Sequence, residues 1–307
     1  MMASFCRLLL AKSSPLGRYV FFRHLSSAIP EPLVLTQQQD GIHIVTLNNP
    51  QKRNALSLPM LNCLKEELTA CQQYNDLRVI IIRATGPVFC SGHDLKELMA
   101  VSNEKHVEIF KTCSKVMMMI QDLNVPVIAQ VAGLATAAGC QLVASCDLAV
   151  ASDQAKFAVP GVSIGLFCST PGVALGRSIP KKVAMEMLFT GNPISASVAL
   201  KHGLLSKIVS PDVLEEETMN LAKRICESSR SVIALGKAAF YHQMELDRNA
   251  AYEYTEKIMI SNLNKEDGQE GIYSLSLSFS LSLFLSFSLS LSEFILLNVT
   301  PSRLCGI

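Results

Sequence analysis

The chain has 307 residues, with 27 Lys and Arg against 26 Asp and Glu, for a net charge of +1 at pH 7. That length holds one large domain or two small ones with a substantial core. The balanced charge excludes the basic surplus of a polyanion-binding surface, so nucleic acid is not an expected partner. The ten Cys are scattered without a CxxC, and the intervals from Cys63 to Cys71 to Cys90 fit no zinc spacing, so no metal is expected. They read as free thiols of a reducing compartment, with Cys113, Cys140 and Cys146 inside apolar runs as small hydrophobes.

Residues 1–29 carry Arg7, Lys12, Arg18 and Arg23 and five Ser, with no acid before Glu31. A basic, Ser-containing, acid-free segment describes a mitochondrial transit peptide; the alternative is a disordered basic arm. From Leu33 the pattern is globular. Leu33–Thr36 and Ile42–Leu47 flank Asp40-Gly41 as a hairpin. Ser57 is placed to cap a helix with Pro59 in its first turn, and Met60, Leu61, Leu64, Leu68 and Cys71 share one face of it. Val79–Ile82 reads as a buried strand. Helices are expected from Asp94 to about Ala100 and from Glu104 to Leu123.

Pro126–Val131 is an apolar strand that runs into Gly133-Leu134-Ala135-Thr136-Ala137-Ala138-Gly139-Cys140-Gln141, and an apolar helix leaves it from about Ala138 to Cys146. Small residues let a ligand approach the backbone. The first amides of a helix lack intrahelical partners and donate outward. Such a turn suits a developing negative charge, and equally it could be a packing unit only. Leu148–Ala151 and Lys156–Val159 follow as short strands. Further on come helices over Pro180–Phe189, Ser195–Lys201 and Leu214–Glu227, a strand at Ile208-Val209, and a helix or helix pair from Ser231 to about Leu263. From Ser274 to Ser292 only Ser, Leu and Phe occur. This low-complexity run alternates with a period of two, which gives a strand one greasy face. It has no charge and no Pro, an aggregation hazard; its high Ser content argues against a membrane span.

Phe89-Cys90-Ser91-Gly92-His93-Asp94-Leu95 is a second small turn between a strand and a helix. Two such turns could each aim one amide at the same oxygen, the geometry that a thioester carbonyl becoming an enolate requires. At this point the chain resembles the crotonase family, the enoyl-CoA hydratase/isomerase superfamily. The resemblance rests on Asn48-Asn49-Pro50 with Asn54-Ala55-Leu56, on the two turns, on Phe157-Ala158-Val159-Pro160-Gly161, on Thr190-Gly191 and on Ala199-Leu200-Lys201-His202-Gly203-Leu204. It covers about Leu33 to Gly271.

The resemblance implies an α/β fold, a spiral of repeated ββα units over residues 33–210, followed by a helical trimerisation segment over 211–271. Residues 272–307 depart from the family pattern, so the segment is incomplete, trimerisation and CoA affinity are in question, and the tail is not expected to belong to the fold. The implied ligand is an acyl-CoA, with CoA entering as part of the substrate and no separate cofactor. The two oxyanion amides map onto His93 and Ala138, and the CoA side onto Cys90, Ser91, Asp94, Leu95 and Lys96. Hydratases of the family use two glutamates, which fall here at Gln141 and Gly161. An amide and a hydrogen cannot carry protons, and one lost acid/base group already costs about 10²–10⁴-fold. Hydration of 2-enoyl-CoA is therefore not expected. Decarboxylation of a malonyl-type thioester would need no base, whereas isomerisation or hydrolysis would need a substitute such as His93, Cys168 or Ser169. Asp147 is expected to satisfy backbone at a helix end.

Overall fold

The structure, a computed structural model, describes residues 31–277. The basic segment 1–29, read as a transit peptide, lies outside the described residues, as does the Ser/Leu/Phe run beyond residue 277. From Pro32 onward the described chain forms one compact unit.

Strands β1 (Val34–Gln39) and β2 (Ile42–Leu47) form the expected antiparallel hairpin. Its turn residues Asp40 and Gly41 both have positive φ, 49° and 77°, the two left-handed positions that a tight hairpin turn needs. Helix α1 (Leu58–Cys71) buries Leu58, Met60, Leu61, Leu64, Leu68 and Cys71, the stripe read from the spacing. Its cap differs from expectation. Ser57 occupies the N-cap position, yet its side chain makes no capping bond. The Leu58 amide instead donates to the Glu97 carboxylate at 3.0 Å, so a residue from a distant helix satisfies the exposed helix end.

Next come β3 (Val79–Ala84), β4 (Val88–Cys90), α2 (Leu95–Ala100) and α3 (Asn103–Asp122). Strands β5 (Val127–Val131) and β6 (Leu134–Thr136) lead into α4 (Ala138–Ser145). Then β7 (Leu148–Ser152), β8 (Lys156–Ala158), α5 (Ser169–Ser178) and α6 (Lys181–Thr190) follow. Strand β9 (Ile194–Ser195), α7 (Ala196–Lys201) and β10 (Lys207–Val209) close the strand-bearing part. Helices α8 (Leu214–Cys226), α9 (Arg230–Gln243) and α10 (Arg248–Leu263) complete the order.

A six-stranded sheet has the order β1-β2-β3-β5-β7-β10, and a smaller sheet the order β4-β6-β8-β9. Each repeat thus sends one strand to the large sheet and the next to the small one before its helix, as in β3-β4-α2, β5-β6-α4 and β7-β8-α5. This is the ββα spiral. Sequence reading missed β4, β6 and β9, because strands of two or three residues carry no alternation to count. Ser169 opens α5 and Cys168 is its N-cap residue.

Both faces of the large sheet are covered. One face packs against α1, α3 and α4 through Val45, Leu61, Leu64, Ile80, Ile82, Val116 and Ile120. The other packs Ile42, Ile44, Val79, Ile81, Ile128 and Val150 against Leu214 and Ala222 of α8. A parallel sheet buried on both faces explains why β3 reads as an unbroken apolar run. Past α10, residues 266–277 are helical, so the first residues of the Ser/Leu/Phe run continue a helix and do not form the strand that their alternation suggests. Among the described residues no helix is long and apolar enough to cross a membrane.

Candidate active site

In the small sheet, β4, β6 and β8 run parallel, with Val88 beside Leu134, Cys90 beside Ala135 and Thr136 beside Ala158. Parallel strands in register end at the same edge. The turns that follow them, Ser91–His93, Ala137-Ala138 and Pro160-Gly161, therefore converge. Glycines let them meet. A Cβ on Gly139 would lie 2.4 Å from the Cys90 carbonyl oxygen, and one on Gly92 would lie 2.8 Å from Ala137 Cβ and 3.3 Å from the Ala138 amide nitrogen. Gly92 also needs φ +87°, open only to glycine at low cost.

The first of these turns is braced from behind by the Asn54-Ala55-Leu56 motif. Ser91 N donates to Arg53 O at 3.0 Å, and Leu56 N to Gly92 O at 2.7 Å. Asn54, fully buried with φ 51°, fixes this brace. Its amide group donates to Thr85 O and Val88 O, both at 2.8 Å, and its carbonyl accepts from Asn49 N at 2.8 Å. Asp94 caps α2, accepting from the Lys96 and Glu97 amides, and pairs with Lys52 at 3.1 Å. Burial raises its carboxyl, but Lys52 and the helix amides outweigh that and hold it below its ordinary value.

The converging turns line a cavity of about 510 Å³. His93 and Ala138 both face it, together with Ser91, Leu95, Thr136, Gly161 and the segment from Ile164 to Pro171. Among the described residues, neither the His93 nor the Ala138 amide has a hydrogen-bond acceptor. Ala138 is the first residue of α4, where an outward-facing amide is expected. The preceding Ala137 holds φ 49° and ψ −119°, a costly conformation for a residue with a Cβ, locked by the bond from Ala137 N to Ala158 O at 2.9 Å. Paired, unsatisfied amides on an apolar wall can stabilise an oxyanion without reorganising.

The remaining site candidates separate. Ser91 and Leu95 line the cavity. Cys90 lies beneath it, fully buried, and burial pushes its thiol up to about 12. Asp94 and Lys96 are engaged at the start of α2 and do not line it. Gly161 is at the wall, and a Cβ there would sit 2.8 Å from both Cys168 Sγ and Leu166 O. Gln141 is 5% exposed and is among the residues lining a second cavity of about 250 Å³, to which Thr170 also contributes. Among the described residues, no Asp or Glu lines the larger cavity.

His93 has a fixed tautomer. Its Nδ1 lies 3.2 Å from Leu56 O; a carbonyl only accepts, so Nδ1 carries the proton and Nε2 is left as an acceptor with no partner. Its ring meets Phe110 edge-on with centroids 5.0 Å apart. Burial holds the imidazole pKa below its ordinary 6.5, opposed in part by the Leu56 carbonyl and Glu97. Cys168 also lines the cavity, and burial raises its thiol despite a bond from the Gly161 amide.

Asp147 was expected to satisfy backbone at a helix end; the backbone amide it serves is instead at the start of strand β5. Its Oδ2 accepts from Val127 N and from Lys237 Nζ, each at 2.7 Å, and its Oδ1 accepts from Tyr241 OH at 2.8 Å. Lys237 further donates to Ile120 O and Val125 O. Asp147 thus clamps α9 to the core. No local sequence signal joins residues ninety positions apart. Elsewhere His43, Glu67 and Cys71 bring one potential ligand atom each within 4.8 Å of one another, a grouping that Cys spacing could not reveal. His43 Nε2 is already hydrogen-bonded to Glu67 at 2.7 Å, and its Nδ1 has no partner.

Residues 37–276 match the family model described as enoyl-CoA hydratase/isomerase. The chain is 60% identical over 241 residues to the Mus musculus enoyl-CoA hydratase domain-containing protein 3, mitochondrial, covering 78% of this chain and 80% of that one. To the Homo sapiens protein of the same description it is 60% identical over 237 residues, covering 77% and 78%. Among solved structures, human enoyl coenzyme A hydratase domain-containing protein 3 superposes with a TM-score of 0.78 at 58% identity, over 80% of this chain and 98% of that one. An enoyl-CoA hydratase of Mycobacterium smegmatis superposes with a TM-score of 0.79 at 44% identity, over 81% and 97%.

Proposed function

The chain belongs to the enoyl-CoA hydratase/isomerase family, and from that premise we propose that it binds acyl-CoA without hydrating it. The thioester carbonyl accepts from the His93 and Ala138 amides, with the acyl group in the cavity below and the CoA moiety on the Ser91 and Leu95 side. The setting is mitochondrial fatty-acid metabolism, in keeping with the mitochondrial relatives. The observation that carries this reading is a cavity bearing two free amides and no carboxylate.

Two amides polarise a carbonyl and stabilise the enolate that forms when a bond at the α-carbon breaks. They cannot add water across a double bond, which needs a base for the water and an acid for the carbon. The wall offers only amides, hydroxyls, a raised thiol and a neutral imidazole. If the protein is an enzyme, its chemistry is of the lyase, isomerase or decarboxylase type, running through a thioester enolate. A non-catalytic acyl-CoA binder is the second reading, favoured by the same missing carboxylates. Family-type trimers would cover the exposed Phe240 of α9, Met244 just past its end, and Tyr252, Met259 and Ile260 of α10, which otherwise remain in water.

The deciding experiment incubates the pure protein with a panel of CoA thioesters, reading thermal shift for binding and mass spectrometry for turnover. Binding with no crotonyl-CoA hydration is expected. Turnover of malonyl-type or isomerisable thioesters selects the enzyme, and binding without any turnover selects the binder. Hydration at rates ordinary for enzymes, or no binding of any thioester, refutes the proposal.

A further inference from the structure

Among the described residues, one group of three metal-ligating side chains lies away from the acyl cavity: His43, Glu67 and Cys71, whose ligand atoms all lie within 4.8 Å of one another. Two elements build it. Alternation along β2 puts His43 on the same face as Val45 and Leu47, the face that packs against α1. On α1, Glu67 stands three residues after Leu64 and four before Cys71, both buried, so it shares their side of the helix. Glu67 and Cys71 thus sit side by side one turn apart, and the strand supplies the third group opposite them. Cysteine spacing cannot reveal such a group, because only the fold brings the His and the Glu to the thiol.

His43 is 4% exposed, in a strand buried over its whole length. Its Nε2 meets Glu67 Oε1 at 2.7 Å, and its ring meets Tyr74 edge-on with centroids 5.7 Å apart. Its Nδ1 has no partner, a cost that an apolar side chain in the same place would avoid. Cys71 is 1% exposed, whereas the Glu67 side chain is 22% exposed and connects the group to solvent.

Imidazole nitrogen, carboxylate oxygen and thiolate sulfur are the donors that zinc accepts, and three of them with one water complete its tetrahedron. Ligand atoms around a tetrahedral zinc stand about 3.3–3.7 Å apart, so the His43–Glu67 pair has to open by about half an ångström, a movement that the partly exposed carboxylate can supply.

We propose that His43 Nε2, a Glu67 carboxylate oxygen and Cys71 Sγ bind one zinc ion, which pins the end of α1 to the β1–β2 hairpin. On binding, the Cys71 thiol releases its proton to solvent, and His43 carries its own proton on Nδ1. An ion held by the folded chain and not by the unfolded one stabilises the fold. The site is independent of the acyl-CoA reading, since none of its three ligands lines either cavity described above.

The test uses the full chain, purified without a metal-binding tag, stripped with a chelator and titrated with zinc. Elemental mass spectrometry after gel filtration should count one zinc per chain, and the thermal midpoint should rise with zinc concentration. X-ray absorption at the zinc edge should show one sulfur at about 2.3 Å and nitrogen and oxygen neighbours at about 2.0–2.2 Å. Cys71→Ser, His43→Gln and Glu67→Gln are each expected to weaken zinc by more than about 100-fold, the upper figure for losing only an outer-shell partner. Cys63→Ser, on the same helix but outside the group, should bind as the parent does. Circular dichroism shows which variants fold, and Glu67→Gln, at a partly exposed position, decides where the buried ones do not. No zinc retained, a shell with no sulfur or with two, or an affinity unchanged in Glu67→Gln or in folded Cys71→Ser overturns the site. Loss of zinc in Cys63→Ser overturns it as well.

Discussion

Lys237→Met removes an ammonium and keeps the length of the side chain, so it isolates the polar clamp between α9 and the core. Lys237 is 6% exposed and Asp147 15%. In the variant Asp147 keeps Tyr241 OH and Val127 N, but Ile120 O and Val125 O each lose a donor. Breaking a buried pair by removing one partner costs about 3–5 kcal/mol. Two stranded carbonyls push toward the upper figure, and the methionine's packing offsets part of the loss. We expect a loss of about 3 kcal/mol by urea titration. For a domain of this size that corresponds to a fall in Tm of roughly 6–12 °C. The double variant Lys237→Met/Asp147→Asn should lose less than the sum of the two single ones, since both remove the same interaction. A loss below about 1 kcal/mol, or full additivity, would refute the clamp and leave the pair a surface ornament.

Asn54→Ala deprives Thr85 O, Val88 O and Asn49 N of partners at a position with positive φ, and should cost about 3 kcal/mol in a denaturant melt. Gly139→Ala drives a Cβ into the Cys90 carbonyl; a loss of at least about 1–3 kcal/mol and weaker thioester binding are expected, since the two amide-bearing turns are forced apart. Gly161→Glu combined with Gln141→Glu places carboxyl groups at the two positions that the family resemblance assigns to hydratase glutamates, yet the new Cβ at 161 meets Cys168 Sγ and Leu166 O at 2.8 Å. Crotonyl-CoA hydration should therefore stay well below that of family hydratases, and full recovery in a coupled assay would refute the steric argument. His93 titrates below 6.5 in the fold, so the unfolded chain takes up this proton first. Its contribution to stability is complete above pH 6.5 and is lost as pH falls through the folded pKa. Imidazole NMR should give a midpoint under 6.5, and His93→Gln should flatten that part of the stability–pH curve.

Much of the site was legible in the order of residues. Gly92-His93 and Ala137-Ala138 were marked by small residues at strand-to-helix turns, and the absence of acids at Gln141 and Gly161 is a matter of reading two letters. The helix start at Asp94 was readable because the bonds that cap it are local. The hairpin at Asp40-Gly41 and the stripe of α1 followed from turn chemistry and period.

Other features depended on partners far along the chain. Strands β4, β6 and β9 exist because their neighbours supply the ladder; two or three residues alone cannot announce themselves. Glu97 serves the first turn of α1, where Ser57 makes no side-chain bond, because the fold brings its carboxylate to the Leu58 amide. The Asp147–Lys237–Tyr241 clamp joins residues with no local signal. Gln141's direction was also a tertiary outcome. The sequence by itself determined which groups this protein has for chemistry, and that Gln and Gly stand at 141 and 161. Only the tertiary structure decided where each one faces, since a side chain's neighbours are set by packing across the sheets and a helix register decides which of two adjoining cavities it borders.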